Sequence, residues 1–282
     1  MNYVLYQAYG KEEIAHEALF SILSVMRLED PDISGFKIII YTDLKALFQQ
    51  YLLHYSFIEY REINQSEIRE WRGKIDFVHR VKVKILQDFF SMHPDANLIY
   101  LDSDTYMLQP LSPLFREVSK GQLLMHICEG RIESQHNPIF RKIFSFIKRN
   151  KFDIESISGL KIPLSTEMWN AGVIGMNSTA VHILDSVLQL TDALYSKYPK
   201  HVMEQLAFSY FFQQKMPIKA TGEVVFHYWY FKTFREHIST FLRKNEGKSA
   251  KELALLSASI APDKMPIHKA EKKRKWWQKL LP

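Results

Sequence analysis

The sequence holds one cysteine, Cys128, so neither an intrachain disulfide nor a cysteine-ligated zinc site can form. Secreted domains commonly carry paired cysteines, and their lack points to a reducing, cytoplasmic setting. Glycine and proline are sparse, at 10 and 11 of 282 residues, which leaves little material for long disordered linkers. The opening stretch from Met1 to Gly10 has neither a basic segment nor a long apolar run, unlike a signal peptide. No stretch reaches the roughly 18 apolar residues that a spanning helix needs.

Net charge is also scarce outside one segment. The chain carries +6, and residues 269–282 account for +5 of it, with six basic side chains against Glu271. A nucleic-acid-binding body spreads basic charge over a folded face, so the near-neutral remainder predicts no nucleic-acid partner. The tail interleaves that charge with Trp276, Trp277, Leu280 and Leu281. Such a segment suits an anionic membrane surface, which predicts peripheral attachment to the inner face of the membrane. A solvated terminus is the simpler alternative.

What is present reads as an α/β protein. Tyr3 to Tyr9, Phe36 to Asp43 and Asn97 to Leu101 are apolar or β-branched runs that predict strands. Lys11 to Leu28, Leu44 to Leu53 and Ile75 to Met92 predict helices between them. Strand and helix in alternation indicate a mostly parallel sheet flanked by helices. Further strands are predicted over 57–63, 122–128, 169–177 and 224–230, with helices over 137–150, 179–198 and 201–214. In such sheets the ligand lies at the carboxyl ends of the strands, where Asp43 and Asp102 fall.

The most informative segment is Leu98-Ile99-Tyr100-Leu101-Asp102-Ser103-Asp104. Residues i and i+2 of an extended chain project from one side, so Asp102 and Asp104 can converge on one hard cation. Mg²⁺ and Mn²⁺ prefer such oxygen ligands and bridge them to substrate phosphates. An acidic turn that merely closes a strand is the plain alternative. Further on, Asn170-Ala171-Gly172-Val173 sets an amide beside small residues that let a ligand approach the backbone. Arg80 and Lys84 share one helix face, where a guanidinium fork fits phosphate. On this reading Lys82 and Lys84 face solvent. Asp43 is open to a second role as a helix N-cap.

Taken in order, Arg80, Asp102/Asp104, Asn170 to Val173, Glu204-Gln205 and His227 resemble the motif series of GT-A glycosyltransferases, family 8 and its bacterial relatives above all. The resemblance covers about residues 1–235. Two departures stand out. Glu204 replaces the usual Asp, and the Gly and Pro-Trp that follow the family's late His are absent here, although Lys232 is present.

The resemblance implies a Rossmann-like GT-A domain over residues 1–240, with a helical extension and basic tail over 241–282. It implies Mn²⁺ or Mg²⁺ held by Asp102, Asp104 and His227. Donor contacts would come from Ala8, Tyr9, Asp43, Arg80, Ser103, Asn170, Ala171, Gly172 and Lys232. Glu204 and Gln205 would act at the sugar, Gln205 near its reacting face in a retaining enzyme or Glu204 as general base in an inverting one. The implied reaction moves a hexose or N-acetylhexosamine from a nucleoside diphosphate sugar, with uracil as the base, to a glycan or lipid-linked acceptor hydroxyl. A retaining outcome is expected, and residues 129–168 are expected to supply the acceptor pocket. The alternatives are a non-catalytic glycan- or membrane-binding module on a degenerate GT-A fold and a haloacid-dehalogenase-type phosphatase.

Overall fold

The structure, a computed structural model, describes residues 1–265; the basic tail and the membrane role expected of it lie outside them. The chain begins β1 (Asn2–Gln7), α1 (Glu12–Leu28), α2 (Pro31–Ser34), β2 (Phe36–Thr42), α3 (Lys45–Leu52) and β3 (Ile58–Glu62). It continues α4 (Gln65–Arg72), α5 (Arg80–Met92), β4 (Asn97–Leu101), β5 (Thr105–Met107), α6 (Ser112–Ser119), β6 (Leu124–Met125) and β7 (Cys128–Arg131). Then follow α7 (Pro138–Arg149), β8 (Phe152–Ile154), β9 (Ile157–Leu160), β10 (Glu167–Trp169), β11 (Val173–Asn177), α8 (Ile183–Lys197) and α9 (Met203–Lys215). The described chain closes with β12 (Lys219–Ala220), β13 (Val225–His227), α10 (Phe234–Lys244) and α11 (Ala250–Ser257).

Among the described residues, seven strands form the main sheet in the order β12-β6-β11-β4-β1-β2-β3. The pairs β1·β2, β1·β4 and β2·β3 are parallel, whereas β11 runs antiparallel to β4 and β6. The expected mixed, mostly parallel α/β sheet is therefore present. Strand order reverses at β1, with β2 on one side and β4 on the other. The crevice at the carboxyl ends of β1 and β4 is where a parallel sheet of this kind receives its ligand.

Side chains alternate across the sheet, so each strand feeds two cores. Tyr3, Leu5, Leu98, Tyr100 and Ile174 pack with α5, α8 and α9 on one face. Val4, Tyr6, Ile99, Leu101 and Val173 pack with α1, α10 and α11 on the other. Phe234, Ile238, Phe241, Leu253 and Ala254 belong to this second core. Helix α10 thus runs straight through residue 240, where the sequence suggested a domain edge. No helix of the described residues is long and apolar enough to cross a membrane.

Several predicted elements are shorter or more divided than their patterns suggest, and three of these changes shape the site. Residues 73–79 turn before α5 begins, with Gly73 and Asp76 at positive φ. The stretch 122–128 splits between β6 of the main sheet and β7, which pairs with β10. The long strand expected over 169–177 breaks at Asn170–Gly172 and divides between β10 and β11.

Candidate active site

A cavity of about 810 Å³ opens at the carboxyl ends of β1 and β4. That volume lies within the usual range of about 300–1,000 Å³ for small-molecule sites. Asp102, Ser103 and Asp104 line it from the turn after β4, and Tyr9 lines it from the segment after β1. Asn170, Ala171 and Gly172 reach it from the β10–β11 turn, Glu204 and Gln205 from α9, and His227 and Lys232 from the chain at and after β13.

Backbone pairing fixes these groups. The Asp102 N–H donates to the Gly172 carbonyl at 2.9 Å, so the β10–β11 turn sits directly beside the acidic turn. Strand β13 pairs antiparallel with β5 and sets His227 opposite Thr105. The Tyr228 N–H then bonds the Asp104 carbonyl at 3.0 Å. The β5·β13 ribbon was not anticipated from the sequence, since β5 is three residues long and its partner lies more than a hundred residues away.

One ligand atom each from Asp102, Asp104 and His227 lies within 4.8 Å of the others. His227 Nε2 is 3.0 Å from Asp104 Oδ1 and 3.8 Å from Asp102 Oδ2. Octahedral Mg²⁺ bonds of about 2.1 Å place neighbouring ligands roughly 3 Å apart, so the spacing fits a hard divalent cation. The hydrogen bonds behind His227 strengthen the fit. Asn170 Oδ1 accepts from the Gly172 N–H at 3.0 Å, and Asn170 Nδ2 donates to Glu129 at 3.1 Å. This fixes which end of the amide faces His227, so Nδ1, 2.9 Å from Asn170 Oδ1, is the protonated nitrogen. With the ring's proton on Nδ1, Nε2 is the atom turned to the Asp104 carboxylate, 3.0 Å away. One positive charge fits between these two atoms, a second ring proton in the metal-free protein or a divalent cation in its place.

Cations of the chain already neutralise part of this charge. Lys82, buried, places Nζ 3.2 Å from Asp102 Oδ1, 3.2 Å from Glu204 Oε1 and 2.9 Å from the Ala171 carbonyl. Burial opposes its charge, but the two carboxylates outweigh it and raise its pKa. Burial, reinforced by Asp102, drives the Glu204 carboxyl upward against the pull of Lys82. Lys232 Nζ lies 3.2 Å from Asp104 Oδ2. Burial again opposes ionisation of Asp104, yet His227 and Lys232 hold its carboxyl below the usual carboxylate range. Tyr100 donates to Asp102 Oδ1 at 2.6 Å.

Lys82 is the main correction to the sequence reading. It was expected to face solvent while Arg80 met the diphosphate. Instead Arg80 pairs with Asp192 at 2.8 Å and donates to the Trp71 carbonyl, outside the cavity wall. The signal was available: Lys82 lies on the same helical stripe as Ile85, Leu86 and Phe89, and Arg80 and Lys84 lie off it. Ala8 and Asp43 also fall outside the wall. Ala8 is buried and donates to the Tyr41 carbonyl, and Asp43 accepts from the Gly10 N–H and Gln65 rather than capping a helix.

Sequence reasoning missed Glu129 and three histidines of the cavity wall, His79, His136 and His201. Glu129 accepts from Gln205 Nε2 at 2.8 Å as well as from Asn170. Burial and the Lys82 charge push the His79 imidazole down to about 4. Burial lowers His201 too, with His79 adding to the effect. Both rings are neutral at pH 7 and offer hydrogen bonds without charge. Scattered single residues of this kind carry no pattern in sequence.

No protein-family model matches the chain, and no curated protein matches it either. Solved structures do. The crystal structure of apo mouse xyloside xylosyltransferase 1 aligns at a TM-score of 0.50 and 14% identity, over 78% of this chain and 85% of that one. GlyE, a glycosyltransferase of Streptococcus pneumoniae TIGR4, aligns at 0.46 and 15% identity over 78% of this chain, which spans 46% of GlyE. The galactosyltransferase LgtC, solved with donor and acceptor sugar analogs, aligns at 0.46 and 13% identity over 75% and 70% of the two chains. The chain has the GT-A fold of nucleotide-sugar glycosyltransferases.

Proposed function

We propose that the protein is a metal-dependent glycosyltransferase that moves a hexose or N-acetylhexosamine from a UDP-sugar to a hydroxyl of a glycan or glycolipid. The observation that carries this reading is the Asp102, Asp104 and His227 cluster at the floor of a nucleotide-sized cavity. A divalent cation bound there, Mn²⁺ or Mg²⁺, would supply Lewis-acid stabilisation of a departing diphosphate. Asp102, Asp104 and His227 would hold it, and Asn170, bonded to Nδ1, keeps the His227 Nε2 turned inward. Lys82 and Lys232 add positive charge around the same point. Tyr9 lies along the wall from β1, where it can pack on the nucleoside.

A retaining outcome is the better supported of the two. A general base must be free to take the acceptor proton. Glu204 is almost wholly buried and is tied to Lys82, which leaves it poorly placed for that task. Gln205 lies on the cavity wall with its amide nitrogen held by Glu129, so its carbonyl end is the part left to face a sugar. Glu129, His136, Asn137, Ile139 and Phe140 line the side of the cavity that the acceptor would enter.

A panel of nucleotide sugars assayed for donor hydrolysis tests this directly. The expected result is turnover of a UDP-hexose or UDP-N-acetylhexosamine that needs Mn²⁺ or Mg²⁺ and is lost in Asp104→Ala. Turnover that survives in that variant, or no turnover of any donor, contradicts the reading.

A further inference from the structure

A second concave site lies on the outer side of α7, and the reaction proposed above leaves it unused. Helix α7 is capped by Asn137, whose side chain accepts from the Ile139 and Phe140 N–H groups, and starts at Pro138. Its buried stripe is Phe140, Ile143, Phe146 and Ile147. Its opposite face carries Arg141, Lys142, Ser145 and Arg149, all exposed. Spacings of three, four and seven residues align these side chains along one ridge.

The ridge forms one wall of a groove of about 520 Å³, floored by Phe146 and Tyr198, whose rings sit 4.9 Å apart. No carboxylate lines it. Among the described residues, none of its three cations pairs with an acid. Arg141 reaches only the Gln135 carbonyl, at 3.5 Å, and Arg149 Nε donates to the Ser145 carbonyl within its own helix. The remaining guanidinium nitrogens and Lys142 Nζ are left for a ligand. Two guanidinium forks, a lysine and the Ser145 hydroxyl around one depression suit phosphate oxygens.

Its position gives the groove a role. Asn137, Ile139 and Phe140 line the catalytic cavity, whereas Pro138 and Arg141 line the groove. The two sites share the first turn of one helix. From Pro138 to Arg149 the ridge runs about 16 Å, at 1.5 Å per residue. A substrate that leaves the cavity along α7 can therefore reach the ridge within a few sugar units.

We propose that this groove binds a phosphate or pyrophosphate group carried by the acceptor, and so selects a phosphorylated acceptor over a neutral one. This rests on the transferase reading only for the word acceptor; the anion site stands on its own geometry. A concave groove with hydroxyl and amide groups at its edge fits a discrete phosphate better than a flat lipid surface.

The test compares the full wild-type chain with the groove variant Arg141→Gln/Lys142→Gln/Arg149→Gln, whose three positions are exposed and outside the catalytic wall. Inorganic pyrophosphate is titrated calorimetrically in EDTA, and vesicles of phosphatidylglycerol or phosphatidylcholine are sedimented with each protein. Donor hydrolysis with Mn²⁺ is measured in parallel. Expected are an at least tenfold weaker pyrophosphate affinity in the variant, unchanged donor hydrolysis and unchanged partition to both vesicles. Equal pyrophosphate affinity in the two proteins overturns the proposal. So does a variant that loses only its binding to phosphatidylglycerol vesicles, which would make the ridge a membrane contact. Absent donor hydrolysis in both proteins, with the pyrophosphate difference intact, would refute the transferase reading and leave the anion site standing.

Discussion

Gly172 and His227 fill one space. A Cβ on residue 172 would lie 2.2 Å from His227 Nδ1 and 2.3 Å from its Cε1, far inside contact distance. The imidazole is clamped between this glycine, the Asn170 amide and the acidic turn. The missing side chain at 172 is therefore part of how the Asp102, Asp104 and His227 cluster is built.

Gly172→Ala should push the ring off its place while the sheet stays intact. Loss of an oriented ligand typically costs about 10–100-fold in metal affinity. Calorimetric Mn²⁺ titration should show a drop of that order with little change in far-UV circular dichroism. Wild-type affinity in the alanine variant would mean that His227 does not need its present position.

Lys82→Met should destabilise the metal-free protein by about 3–5 kcal/mol, because it leaves the buried Glu204 and the partly buried Asp102 without their shared cation. Chemical denaturation measures this. Donor hydrolysis should fall as well. The same change at Arg80 removes a pair outside the cavity and should leave the dependence of turnover on Mn²⁺ concentration unaltered. Matching metal-dependence curves for wild type and Lys82→Met would contradict the placement of Lys82.

Arg235 pairs at 2.9 Å with Glu17, which is almost fully buried within α1. Burial raises the Glu17 carboxyl even with that partner. Arg235→Met should cost about 3 kcal/mol at pH 7, and adding Glu17→Gln should recover most of it. The sign with pH follows from the raised value. Between the unfolded and folded pKa the folded state holds the proton, so the penalty grows as pH rises through 4.5 and beyond. In Arg235→Met the loss should be smaller at pH 5 than at pH 7. A pH-independent loss would rule out an uncompensated carboxylate as its cause.

The histidines act in the opposite direction. His79 and His126 are held down to about 4, in both cases by burial first, against about 6.5 in an unfolded chain. Between these values the unfolded state binds more protons, so stability should fall as pH drops from 6.5 towards 4. Denaturation midpoints of metal-free protein should decline over that range, and the decline should be shallower in His79→Gln. A midpoint that rises on acidification in both proteins would contradict the neutral-imidazole account.

Much of the fold was legible because β1, β2 and β4 are largely apolar runs and α1 and α5 carry a helical stripe. The acidic pair stood out for a different reason, two carboxylates two residues apart at the end of an apolar strand, whereas His227 was singled out only through its place in the glycosyltransferase motif series. What stayed hidden depends on distant pairing. The break at Asn170–Gly172 is invisible locally, since Trp169 to Asn177 reads as one strand until β7 claims its first part. The role of Lys82 was obscured because charge was read before periodicity. Glu129 had no signal, as its meaning comes from Asn170 and Gln205, which fold beside it from 41 and 76 residues away.

The central claim is that a divalent cation bound by Asp102, Asp104 and His227 is what holds the nucleoside diphosphate. Calorimetric titration of UDP, with Mn²⁺ and then with EDTA, measures this most directly. The account predicts tight binding with Mn²⁺ that collapses in EDTA and is absent from Asp104→Ala under both conditions. UDP binding of equal strength with and without metal, or undiminished in Asp104→Ala, would contradict it.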